Sequence, residues 1–308
     1  MPMYSLQKSK LTLITEIPIK LEKDLQKLTE ENLSTIFALD FISSEFSLQQ
    51  FRIDTVAFDS ETKSFVIIEY KKDRSISIVD QGYTYLALML NNKADFILEY
   101  NEKMKKNLKR EDVDWSQSRV MFIANSFTAY QQNAINFKDL PIELWEAKMF
   151  DNKTILYNQL KSSQATESIK TISKDKNIEN VSREIVKYSV DDHFKGGRQV
   201  MRDLFDDLKE KIFEIDSRIE ENINKYYIGF KIQGLKWNIC TVHVFTDKFQ
   251  LGLIRVETKD LKDPEKLLEK IPWQKRGWGK HCRYVIRSSE DLDYALFLIK
   301  QVYKKFYV

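Results

Sequence analysis

The chain has 308 residues, enough for two ordinary domains, and its 43% hydrophobic and 31% charged content supports a buried core with a soluble surface. Its only cysteines, Cys240 and Cys282, argue against a disulfide framework and for a reducing cytoplasm. No apolar run reaches the roughly 18 residues of a membrane span, and Met1–Ser9 lacks the apolar stretch of a signal peptide. The net charge of +3 does not by itself indicate nucleic acid, but it is unevenly spread: residues 1–160 hold 20 Lys/Arg and 23 Asp/Glu, and the remainder 29 and 23 of the totals of 49 and 46. An acidic half able to collect metal beside a basic half able to hold phosphate is weakly suggestive of a nuclease.

In chain order, Leu21, Leu25, Leu28 and Ile36 recur at helical spacing and mark an amphipathic helix within Ile19–Leu39. Two strand-like runs follow, Phe51–Phe58 and Phe65–Lys71, joined by the polar stretch Asp59–Ser64, which has hairpin-loop length. A helix over about Ile78–Asn91 comes next. Asp95–Tyr100 and Val120–Ala124 read as buried strands, and a helix near Ala129–Phe137 precedes a run at Ile142–Phe150. This alternation predicts an α/β domain over 1–160 with a mixed sheet flanked by helices. Residues 161–182, rich in Ser, Lys, Asn and Thr, read as a linker. Residues 183–308 then read as a smaller α+β domain: helical periodicity at Val200–Ile223, strands at Tyr226–Gln233, Lys236–Phe245, Gln250–Val256 and Arg283–Arg287, and a closing helix at Leu292–Phe306.

The chemistry concentrates on the second strand run. Alternation puts Glu69 and Lys71 on one face of their strand and Tyr70 on the other, while Asp54 lies on the adjoining hairpin strand. Two carboxylates suit a hard cation, and a lysine beside them can orient a water and offset charge developing on a phosphate. The bare triplet is uninformative, since Glu-x-Lys also occurs at Glu61/Lys63, Glu146/Lys148 and Glu257/Lys259. Only Glu69 combines a preceding apolar run, an Asp 15 residues upstream on the previous strand and a following helix. The alternative is a solvated, charged strand end.

The runs Arg52-Ile-Asp-Thr-Val-Ala-Phe-Asp59, Val66-Ile-Ile-Glu-Tyr-Lys-Lys72 and Asp80-Gln-Gly-Tyr-Thr-Tyr-Leu86 resemble the PD-(D/E)XK, or restriction-endonuclease-like, nuclease superfamily. They are most similar to a bacterial and archaeal group whose active strand is followed by a helix carrying a Gln and a Tyr, here Gln81 and Tyr85. The resemblance spans roughly residues 20–150, including Ala94-Asp-Phe96 and the Val120–Ala124 strand; Ile53 stands where the superfamily name has Pro. It implies a Mg²⁺-dependent endonuclease hydrolysing DNA, with Mn²⁺ as a substitute metal and RNA also admissible as substrate. Asp54 and Glu69, joined by the Tyr70 carbonyl, would ligate the metal, Lys71 would position the water, and Gln81 and Glu31 would support the site. Cleavage would leave a 5′-phosphate. Periodicity alone does not single out Glu31, which lies at the edge of the apolar face with Glu22 on the opposite flank. Nucleases of this type often dimerise to cut both strands, so a homodimer is a further expectation, although no residue pattern shows one.

Two other clusters bear weighing. Cys240, His243, His281 and Cys282 form a zinc inventory, but residues three apart or adjacent on strands point to opposite faces, so buried core residues are the better reading. Trp273–Tyr284 interleaves basic and aromatic residues, and Lys275, Arg276 and Lys280 are candidate nucleic-acid contacts; the alternative is a structured turn with solvated charges. Trp278-Gly-Lys280 and Asp291-Leu-Asp-Tyr294 resemble an uncharacterised domain that accompanies nucleases of this group. The rival to the nuclease is a catalytically silent nucleic-acid-binding or interaction module on the same fold.

Overall fold

The computed structural model describes residues 2–19, 21–71, 77–137, 139–160, 176–235, 237–271 and 280–308. It divides into two compact units, 1–187 and 188–308. Unit one contains strands β1 Met3–Gln7, β2 Lys10–Ile14 and β3 Glu16–Ile17, helices α1 Glu22–Glu31 and α2 Leu33–Ile36, then β4 Asp40–Leu48, β5 Phe51–Asp59 and β6 Ser64–Lys71. Helices α3 Ile78–Asn91 and α4 Lys93–Met104 precede β7 Arg119–Ala124, α5 Ala129–Ala134, β8 Ile142–Phe150, β9 Ile155–Leu160 and α6 Lys176–Glu184.

Seven strands form one mixed sheet in the order β3-β8-β7-β6-β5-β4, with β9 also paired to β8. The β6–β7 and β7–β8 pairs are parallel and the rest antiparallel. The central strand β6 is buried over Ser64–Tyr70, which explains its nearly unbroken apolar sequence. One face packs Phe65, Ile67 and Phe122 against α3, α4 and α6. The other packs Val66, Ile68 and Tyr70 against Leu25 and Leu33 of α1 and α2. This is the α/β mixed sheet flanked by helices that the sequence predicts.

Helix α3 starts where the Ser77 hydroxyl accepts the Asp80 N–H, a capping arrangement that fixes its first turn. Its Gly82 lies against the sheet: a Cβ there would come within 2.5 Å of Ile142 Cδ1. At one end of the sheet the half-buried Arg119 guanidinium bonds Asp59 Oδ2 (3.1 Å) and Glu143 Oε1 (2.9 Å), tying β5, β7 and β8 together. The opposite end, at the carboxyl termini of the parallel strands, carries Glu69 and Lys71.

Four expectations are corrected. Asp95–Tyr100 is helix, not strand: only Phe96 and Tyr100, four apart, are buried while Leu98 is exposed, a helical pattern hidden in a short apolar run. The helix expected within Ile19–Leu39 is broken at Asn32 into α1 and α2. Val200–Ile223 ends its helix at Phe213 and continues as a strand from Ile219. Part of 161–182 is ordered into the first unit: α6 contributes Ile178 and Val181, with Ile185 just beyond it, to the core. Lys93 on α4 pairs with Glu184, and the Val186 N–H reaches the Ser116 carbonyl. Residues 161–175 lie outside the described residues.

Unit two contains α7 Val190–His193, α8 Arg202–Phe213, β10 Ile219–Ile223, β11 Ile228–Ile232, β12 Asn238–Val244, β13 Phe249–Ile254, β14 Glu269–Lys270, β15 His281–Ile286 and α9 Leu292–Tyr307. Its six strands run antiparallel in the order β10-β11-β12-β13-β15-β14. Phe205, Leu208, Phe230, Phe249 and Leu298 form its core with α8 and α9, an α+β arrangement as expected. Among the described residues no helix is long and apolar enough to cross a membrane.

Because α6 supplies core rather than linker, Ile178→Ala should destabilise the chain by about 2–4 kcal/mol, the usual cost of truncating a buried aliphatic side chain. Denaturant unfolding measures this. A change within about 0.5 kcal/mol, normal for a surface site, would return the segment to a linker.

Candidate active site

The β5–β6 ladder runs from Asp59 opposite Ser64 to Thr55 opposite Ile68 and stops there. One residue further, the two carboxylates replace the missing backbone pairing. Glu69 Oε1 accepts the Asp54 N–H (3.2 Å) and Asp54 Oδ2 accepts the Tyr70 N–H (3.0 Å). This reciprocal exchange holds both acids on one face, at the point where the strands part. Lys71 Nζ donates to Glu69 Oε2 (3.3 Å). From α3, Gln81 Nε2 donates to the same oxygen (3.3 Å) and to the Tyr85 hydroxyl (3.2 Å). The Gln81 carbonyl Oε1 is buried and has no hydrogen-bond partner among the described residues.

Electrostatics mark the pair as strained by charge. Burial, and then the Asp54 charge, push the Glu69 carboxyl up to about 7, against the pull of Lys71. Burial likewise raises Asp54, with the Tyr70 N–H and Lys71 opposing. Burial and the Glu69 charge push the Tyr85 phenol up to about 12. Two carboxylates held together with one lysine, bonded to Glu69, are under-neutralised, the condition a divalent cation relieves.

Four residues from Asp54 to Gln81 therefore meet as the sequence suggested. Glu31 does not join them: it is exposed and lies off the cleft beside Asp54, a space of about 350 Å³ lined by Glu22, Lys23, Gln26, Glu45, Arg52 and Asp54. Glu22, Gln26 and Glu30 lie four apart on the flank of α1 that faces β5, whereas Glu31 is turned about a quarter-circle away. The sequence reading missed Gln26. Nearly buried, its Nε2 donates to the Asp54 carbonyl (3.0 Å), Glu30 Oε1 (3.1 Å) and Ser44 Oγ (3.2 Å), fixing the backbone that carries the acid. Glu45 was missed too, because β4 was unread; it sits opposite Asp54 at φ +55°, paired with Arg52 (2.6 Å). Left-handed backbone at a non-glycine residue within a strand is costly and concentrates near functional sites.

Among the described residues no group of three or more His, Cys, Asp and Glu is placed to hold a metal. Cys240 and Cys282 are free and fully buried. Both pair with Leu253 from opposite sides, so they stand two strand spacings, about 10 Å, apart, too far for a disulfide. The core reading of these cysteines holds. Lys280 is exposed at the start of β15; Lys275 and Arg276 lie outside the described residues.

Unit one is thus a three-layer α/β domain with a paired-carboxylate and lysine site at the end of its central strand. The chain belongs to the same family as an uncharacterized protein of Haemophilus influenzae, to which it is 42% identical over 306 residues, 99% of this chain and 100% of that one. Residues 190–305 match a domain of unknown function, DUF5655. Among solved structures, a repair endonuclease from Pyrococcus abyssi is 15% identical over 43% of this chain and 49% of its own (TM-score 0.25). An EndoMS–dsDNA complex is 14% identical over 47% and 64% (TM-score 0.28). The chain spans less than two thirds of either.

The raised Glu69 value has a measurable consequence. A folded chain that keeps this proton up to pH 7, against 4.5 for an ordinary glutamate, gains stability that is present below pH 4.5 and lost as pH rises through 7. Glu69→Gln removes that loss. In metal-free buffer the variant should be more stable than the parent at pH 8, on the order of 1–3 kcal/mol, and the difference should vanish near pH 4–5. Equal stabilities at pH 8 would show that the carboxylate is not destabilised where it sits.

Proposed function

We propose that the first unit is a divalent-metal-dependent endonuclease of the restriction-endonuclease-like type acting on DNA. The observation that carries this reading is the exchange of backbone N–H groups between Asp54 and Glu69 beside Lys71. It places two carboxylates and an ammonium at a strand end next to an open cleft.

The donor set fits Mg²⁺, with Mn²⁺ as a substitute. A small hard cation takes one or two carboxylates and fills its other positions with water and substrate phosphate; Asp54 and Glu69 supply the former, joined by the Tyr70 carbonyl. When bound, the metal would polarise the phosphate and acidify a water. The protein does the rest. Lys71, with 15% of its side chain exposed, brings positive charge to the place where negative charge develops on phosphorus. The buried Gln81 Oε1, which has no other partner among the described residues, would accept a hydrogen bond from the attacking water and so orient it. The water oxygen would bond to phosphorus as it gives up a proton to solvent, the bond to the 3′-oxygen would break and that oxygen would take a proton from solvent, leaving a 5′-phosphate and a 3′-hydroxyl. Gln26 and the Tyr70 N–H keep Asp54 in place. Lys275, Arg276 and Lys280 of the second unit would contact DNA phosphates.

Asp54→Asn keeps the side-chain shape but removes a charge, so Mg²⁺ affinity measured by calorimetry should fall with little change in fold. Lys71→Ala should leave Mg²⁺ binding intact or stronger, because a neighbouring positive charge is gone, yet slow cleavage by about a hundredfold or more. Lys148→Ala is the control: its ammonium pairs with Glu16 (3.7 Å) on β3 and should affect neither quantity. Cleavage of DNA by both site variants at the parent's rate would hand the site to the silent binding-module reading.

Replacing Lys275, Arg276 and Lys280 with Glu should weaken DNA binding and reduce the slope of log affinity against log salt by about one per lost phosphate contact. An unchanged slope would leave these side chains as solvated charges.

A further inference from the structure

Strands β1 and β2 form a two-stranded sheet of their own, separate from the seven-stranded sheet. Tyr4 pairs with Leu13 and Leu6 with Leu11, while Ser5 pairs with Thr12 and Gln7 with Lys10. Cross-strand partners share a face, so one face is wholly apolar and the other largely polar. Such alternation is the signature of a strand with one covered side. Here the apolar side is uncovered: Tyr4 is 50% exposed, Leu6 68%, Leu11 66% and Leu13 54%.

An isolated hairpin is at best marginally stable in water, and a strand pair persists when something covers its apolar face. We infer that this face, Tyr4, Leu6, Leu11 and Leu13, is a homotypic docking surface covered by the same hairpin of a second copy of the chain. The four side chains expose roughly 400–500 Å², the size at which an apolar patch marks an interaction site. Pairing two copies removes up to about twice that from water, roughly 800–1,000 Å², which comes to the ~1,000 Å² threshold of a specific interface. The face carries no charge, so it suits neither nucleic acid nor a charged peptide. Residues 161–175 offer only Ile169 and Ile172 as large apolar residues, too few to cover four. A second copy offers matching side chains in equal number, and a two-fold pairing sets like against like. The inference does not depend on the nuclease reading.

The test is the mass of the full chain by sedimentation equilibrium at 1–50 μM, for the parent and two double variants. Leu6→Lys with Leu11→Lys charges the apolar face; Ser5→Lys with Thr12→Lys charges the opposite face at a neighbouring cross-strand pair. The parent and the Ser5/Thr12 variant should be dimers. The Leu6/Leu11 variant should be a monomer with an unchanged unfolding transition of the main sheet, its dissociation constant raised at least ~100-fold. Three results overturn the proposal: a parent monomeric at 50 μM, a Leu6/Leu11 variant that stays dimeric, or dissociation by both variants alike, which would implicate hairpin integrity rather than its apolar face.

Discussion

The first unit turns on the end of one ladder. Where β5 and β6 stop pairing after Thr55 and Ile68, backbone N–H groups would be left in a nearly water-free interior, and an unpaired buried amide costs about 1–3 kcal/mol. Asp54 and Glu69 accept those groups. The same hydrogen bonds that complete the sheet thereby force two negative charges together. Fold and site cannot be separated here, since removing either acceptor oxygen opens the end of the ladder as well as the pair.

The surroundings are arranged around that tension. Arg119 clamps β5, β7 and β8 at the far end of the sheet, which leaves the near end free to part. Beneath the sheet, Thr29 is fully buried and bonds both the Leu25 carbonyl (2.8 Å) and the Tyr157 hydroxyl (2.9 Å). Thr55 bonds Glu30 on the same helix as Gln26. The Tyr157 bond ties α1 to β9, and the Thr55 bond ties it to β5, the strand that carries Asp54. Hydrogen bonds in a low-dielectric interior rigidify what they join, and what they join here includes the strand of an acid whose charge the interior opposes.

How much of this was legible in the sequence follows from the range of each interaction. Alternation along Phe65–Lys71 put Glu69 and Lys71 on one face, and hairpin length brought Asp54 opposite, because both are local consequences of strand geometry. Gln81 and Tyr85, four apart on α3, shared a helix face for the same reason. Glu31 failed because the rotation of α1 about its axis is set by which side chains the sheet accepts, and apolar spacing left both flanks open. Gln26 was invisible because its role is to hold a backbone carbonyl 28 residues away, which no local pattern encodes. The strand β4 was overlooked because its polar residues, Ser43, Ser44, Glu45 and Ser47, mask it, and Asp95–Tyr100 misled because a six-residue apolar run fits either period.

Helix α3 meets the sheet at Gly82, where the Ile142 side chain fills the space a Cβ would take and the Phe122 ring lies beside it. So close an approach makes the glycine a spacer of least thickness, and the residue before it, Gln81, takes part of its height above Glu69 from that contact. The site is therefore gauged by an absence. Any side chain at position 82 acts as a shim, and its thickness is read out one residue away, as the gap between an amide and a carboxylate that now stand 3.3 Å apart.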